Sequence, residues 1–72
     1  MNAREWITAY ADHLGVDPPT SEEWSQLLEL AAVAAHASER VAAPVSCWVA
    51  AQAGVSAQAA LEAARAISPT ES

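Results

Sequence analysis

Between Pro44 and Ala53 the chain reads PVSCWVAAQA, a proline-started segment that is apolar on almost every side. A helix with no polar face is stable in water only when its neighbours or a partner cover it. This one is entered from a charged helix end (His36, Glu39, Arg40) and left at Gly54. The stretch Ala35 to Gly54 therefore sets the problem for the rest of the chain, which has to supply that cover.

The supply is limited. Seventy-two residues make one domain, 1–72, and a chain of this length buries only roughly 60% of its unfolded surface. Apolar residues are 53% of the total, yet 19 of them are Ala, which favours helix more than it contributes buried area. The large anchors are Trp6, Ile7, Tyr10, Leu14, Trp24, Leu27, Leu28, Leu30, Trp48, Leu61 and Ile67. Trp6, Trp24 and Trp48 are expected to anchor the core. With so few anchors, self-association or docking on another domain is expected.

The periodicity predicts four helices and no strand. The first spans about 2–14, with Asn2 and Glu5 as a capping box and Trp6, Ile7, Tyr10 and Leu14 on one face. Gly15 ends it and Asp17-Pro18-Pro19 cannot continue it. The second spans about 20–41, opened by Thr20 and Glu23, with Trp24, Leu27, Leu28, Ala31, Ala34, Ala35, Ser38 and Val41 as its core face. The third, about 44–53, starts at Pro44, a residue favoured in a first helical turn. The fourth, about 56–67, is capped by Ser56 and turns Ala57, Ala60, Leu61, Ala64 and Ile67 inward, with Glu62 and Arg65 close enough to pair. Residues 68–72 read as a frayed tail. The fold class is all-α, a compact four-helix bundle, with Trp48 buried between the second and fourth helices.

Charge narrows the partners. The net charge is −6, with three Arg and no Lys, which disfavours nucleic acid and anionic membrane surfaces, both of which attract basic side chains. A single Cys forms no internal disulfide, consistent with a reducing, cytoplasmic setting. The N-terminal residues have no apolar run of signal-peptide length, and no window approaches a membrane span.

Candidate chemistry is sparse. Cys47 could act as a nucleophile with His13 or His36 as base, but it lies in an apolar run with no third orienting group, as a packed cysteine does. His13, His36 and Cys47 lack metal-ligand spacing, and Gly15 and Gly54 form no phosphate loop. No catalytic residue, metal or cofactor is expected. The run Ala50 to Ser56, AxxAGVS, resembles the turn of a bacterial helix-turn-helix repressor. The helix after it carries one Arg among many Ala, too little for phosphate contact. The densest polar group is the helix end. Glu29, Val33, His36 and Arg40 recur along one side of the second helix, and with Glu39 they form a candidate docking strip. The competing account is a solvated helix end.

The pattern His36-x-x-Glu39-Arg40-x-x-Ala43-Pro44, followed by the apolar helix closing at Gly54, resembles a small domain of unknown function from high-GC bacteria. That domain occurs alone or fused to molybdenum-cofactor guanylyltransferase-like proteins. The opening tryptophan helix ending at Leu14-Gly15-Val16-Asp17 is also similar, so the resemblance spans about residues 4–54. Val41 stands where a proline is expected, and the fourth helix agrees only in character. The resemblance implies a non-enzymatic accessory or docking domain in molybdenum-cofactor biosynthesis or molybdoenzyme maturation. Its implied partner is a guanylyltransferase or maturation factor, met by His36, Glu39 and Arg40. The alternatives are an acidic helix-turn-helix-like regulator acting by protein contact or, less favoured, by DNA binding, and a small cofactor binder or enzyme using Cys47 or His36.

Overall fold

The computed structural model describes residues 1–68 and contains four helices: α1 (Ala3–Leu14), α2 (Ser21–Ala37), α3 (Ala42–Ala53) and α4 (Ala57–Ile67). The arrangement is an all-α bundle, with no strand among the described residues. Three of the four helix starts carry the caps read from the sequence. Asn2 Oδ1 accepts from the Glu5 amide at 2.8 Å while Glu5 Oε1 accepts from the Asn2 amide at 3.0 Å. Thr20 and Glu23 make the same reciprocal pair, and Ser56 Oγ accepts from the Ala59 amide. Each satisfies amides that have no partner within the helix. At the end of α1, Gly15 adopts φ 76° and the Val16 amide reaches back to the Ala11 carbonyl at 2.9 Å. That is a Schellman stop, which an L-residue with a Cβ forms less readily.

The largest departure from expectation is where α2 ends. It stops at Ala37 rather than continuing to Val41. Both the amide and the hydroxyl of Ser38 bond the Ala34 carbonyl, at 3.1 and 2.8 Å, and Ser38 leaves helical geometry at φ −142°, ψ −95°. A serine that bonds its own upstream carbonyl offers the backbone an alternative to the next turn. Glu39, Arg40 and Val41 then form a tight turn in which Ala42 and Ala43 donate to the Glu39 and Arg40 carbonyls. This turn leads directly into α3, which consequently begins at Ala42, two residues before Pro44. Pro44 still lies in the first turn, where its missing N–H costs nothing.

The central strut is α2, and both α3 and α4 pack on it; no comparable packing joins α1 to another helix or α3 to α4 among the described residues. The core is Leu30, Ala60 and Leu61, with Leu27, Val33, Cys47, Ala50 and Ala64 packed against it. Leu30, only 3% exposed, lies at its centre. The inward face of α2 is therefore turned by about one residue from the expected stripe, so that Leu30 and Val33 point in and Leu28 points out. Two helices packed on its flanks, rather than one opposite it, set that direction.

The tryptophans do not anchor this core. Trp48 is 65% exposed and Trp6 53%, while Trp24 is half-buried with Arg4 Cζ 4.6 Å above its ring. Ile67, expected inside, is 88% exposed although in register with Ala60 and Ala64, because it is the last residue of α4, beyond the core. The expected Glu62–Arg65 pair is replaced by two others: Gln58 Nε2 donates to Glu62, and Arg65 Nη2 donates to Glu29 Oε2 at 2.9 Å, tying α4 to α2. The tail expected at 68–72 falls outside the described residues from 69 onward, whereas Ser68 caps α4 by donating to the Ala64 carbonyl. Among the described residues twelve large apolar side chains are exposed, Trp48 and Trp6 included. Much of the apolar side-chain surface faces outward.

Candidate functional site

The orientation of α3 accounts for much of that surface. Ala43, Ser46, Cys47 and Ala50 face α2, and all are half-buried. Small residues at that spacing let two helix backbones approach closely. The same rotation sends Val45, Trp48 and Val49 to the opposite side, where each is more than half exposed. Trp48 therefore does not lie between the second and fourth helices. It stands at the middle of an outward apolar face. The helix is inverted relative to an ordinary amphipathic one, with its small side chains inside and its large ones outside.

The α2–α3 turn borders this face. Of the expected docking strip, Val33 is taken into the core and Glu29 is held by Arg65. Val33 leaves the strip, and Glu29 stays exposed on it with Arg65 as partner. His36 stays exposed in the last turn of α2, and Glu39 and Arg40 are exposed in the turn itself. Arg40 has no ion pair among the described residues, although Arg65 and Arg4 are both engaged, the one by Glu29 and the other by Trp24. Val41, 69% exposed, joins the turn to the apolar face one helical turn before Val45. The site is thus His36, Glu39 and Arg40 as a polar border beside Val41, Val45, Trp48 and Val49. The signal for its apolar half was present in the sequence as two interleaved stripes on α3, one of small and one of large residues. A composition that is apolar on all sides conceals which stripe points inward.

No catalytic geometry emerges. Cys47 packs against the core, whereas His36 is exposed at a helix end. Among the described residues no group of three or more His, Cys, Asp or Glu side chains could hold a metal ion. An open depression on α1 is lined by Arg4, Glu5, Thr8, Ala9 and Asp12, all from one helix, so nothing closes over a ligand. On α4 the one arginine is committed to Glu29, leaving no free cation there to meet a phosphate. No helix of the described residues is long and apolar enough to cross a membrane.

The chain matches the family model of a domain of unknown function, DUF6457, over residues 1–71, and it belongs to that family. The match takes in α4 as well as the three helices before it. No curated protein and no solved structure matches the chain.

Proposed function

We propose that this member of the DUF6457 family is a non-enzymatic docking domain, an accessory to a larger protein. The observation that carries the reading is the inverted α3, whose Val45, Trp48 and Val49 face solvent while its alanines face α2. An exposed aromatic flanked by aliphatic groups, with a polar border, has the composition of an interface hot spot. Burying Trp48 in a partner's pocket would recover apolar contact that the fold itself leaves unmade. Arg40, with no carboxylate partner among the described residues, supplies orientation by forking onto an acidic group of that partner. His36 and Glu39 complete the border.

The process we assign to it is molybdenum-cofactor biosynthesis or molybdoenzyme maturation. Support comes from the similarity of His36-x-x-Glu39-Arg40-x-x-Ala43-Pro44 to the domain found fused to guanylyltransferase-like proteins. A domain that occurs both fused and alone is one whose docking surface works in either arrangement. The test is a titration of the chain against the molybdenum-cofactor guanylyltransferase of the same cell, read by calorimetry. Saturable binding that falls at least tenfold in Trp48→Ala and several-fold in Arg40→Ala supports the reading. No binding, or binding indifferent to both substitutions in folded variants, overturns it.

A further inference from the structure

A second apolar strip lies on α1, well away in sequence from the docking surface. Trp6, Tyr10 and Leu14 recur at intervals of four and are each at least half exposed. The Trp6 and Tyr10 rings stack at 5.0 Å between centroids and 26° between planes. This stack holds the strip flat before anything binds it. Both ends of α1 are closed by their own residues, through the Asn2–Glu5 box and the Gly15 stop. Ala11 is nevertheless its one buried residue, and the helix makes no strong packing contact with any other. Twelve residues are marginal as a helix on local terms alone. A helix so well capped and so little packed lacks a surface to lie against.

We infer that this surface is α1 of a second copy of the chain, paired antiparallel about a two-fold axis at Tyr10. The spacing is self-complementary: with Tyr10 opposite its own mate, Trp6 meets the partner's Leu14 and Leu14 the partner's Trp6, as an isologous contact requires. Charge limits which faces can meet. Each chain carries a net −6, so two copies approach only through a face free of acids. The acids of α1, Glu5 and Asp12, border the depression on the side away from the strip. Antiparallel pairing also sets each helix N-terminus beside the C-terminus of the other, where the dipoles attract. The exposed parts of the three side chains amount to at most on the order of 350 Å² per protomer, so about 700 Å² in the pair, below a stable interface and in the range of weak, reversible association. The inference rests on α1 alone and is independent of the docking reading for α3.

Sedimentation equilibrium of the full chain from about 10 μM to about 1 mM tests it. The apparent mass is expected to rise reversibly from 7.5 kDa toward twice that value. Tyr10→Glu, which sets two carboxylates at the axis, is expected to weaken the dimer at least tenfold with the helical circular dichroism retained. Trp48→Glu is expected to leave it unchanged. A monomer throughout the range overturns the inference, as does a dimer that ignores Tyr10→Glu or one that is lost in Trp48→Glu. Should partner binding fail while this dimer persists, the docking reading falls and the α1 contact stands.

Discussion

Truncating Leu30 and truncating Trp48 should have opposite consequences for stability from those their sizes suggest. Leu30 is 3% exposed, at the point where α2 meets both α3 and α4. Its neighbours Ala60, Ala50 and Ala64 are too short to fill a void, so Leu30→Ala leaves most of the cavity open and costs about 3–4 kcal/mol. A chain of this size has only about 4–11 kcal/mol in total, and its small core places it in the lower part of that range. At about 4–8 °C per kcal/mol the midpoint should fall by about 12–32 °C, enough to leave the variant partly unfolded near 37 °C. Trp48 is the larger side chain, and a buried Trp→Ala costs about 3–5 kcal/mol. Only about a third of Trp48 is covered, which scales the loss to about 1–1.7 kcal/mol. Alanine's better helix propensity returns several tenths of that. The net cost should therefore be about 1 kcal/mol or less. Thermal and urea unfolding followed by far-ultraviolet circular dichroism at a few micromolar, where association is negligible, separates the two. A Trp48→Ala loss above about 2 kcal/mol, or a Leu30→Ala loss below about 1 kcal/mol, refutes the inverted orientation of α3.

Other expectations follow from single contacts. Removing the Glu29–Arg65 pair by Arg65→Ala should cost at most about 0.5 kcal/mol and nothing measurable in 1 M salt, because both side chains are more than half exposed; urea midpoints at two ionic strengths check this. Gly54→Ala should destabilise by about 1 kcal/mol, since φ is 73° with open space around the added Cβ, making the cost one of backbone alone. Ser38→Ala removes the hydroxyl bond to the Ala34 carbonyl and should let α2 run on by part of a turn, seen as altered amide shifts at 38–41 with little change in midpoint. Thr20→Ala should cost about 1 kcal/mol globally, because it uncaps the central helix, while Asn2→Ala should fray α1 with little effect on the unfolding midpoint of the rest.

What could be read from the chain alone was local. Asn2 with Glu5, Thr20 with Glu23, Gly15 and Gly54 each announce a helix boundary through chemistry confined to four or five residues, and each is found in place. Ser38 was the boundary that escaped, because serine stops a helix only when its hydroxyl turns back, a choice the neighbouring turn decides. Facing direction was less legible. On α2 the apolar residues outnumber those a single stripe needs, so Leu27–Leu28–Leu30–Val33 admits two inward directions. The one adopted is set by where α3 and α4 lie. Trp48 misleads for a related reason. Size argues for burial, but the close contact between α2 and α3 is made by Ala43, Cys47 and Ala50, and a tryptophan there would hold the helices apart. Of the expected site, His36, Glu39 and Arg40 were legible as a polar helix end. Val33 was misplaced by the same one-residue rotation of α2, while Glu29 is exposed as expected and paired with Arg65.

The outward face of α3 and the small core have one origin. With 19 alanines in 72 residues, α3 and α4 approach α2 through small side chains, and close approach leaves no room between them for tryptophan. Trp48 is thus displaced to the surface by the packing that makes the bundle possible, whereas Trp6 and Tyr10 are exposed because α1 packs closely on no other helix. That surface is costly to leave in water, at roughly 25 cal/mol for each Å² that could be covered. A partner at α3 and a second copy at α1 each recover part of it. Ligand binding to the folded state alone raises stability by about 2.7 kcal/mol at a hundredfold excess over Kd, which is comparable with the loss expected from Leu30→Ala. For a core this small, association and folding are therefore of similar energetic weight, and Leu30→Ala should regain most of its lost midpoint when the docking partner is present in excess.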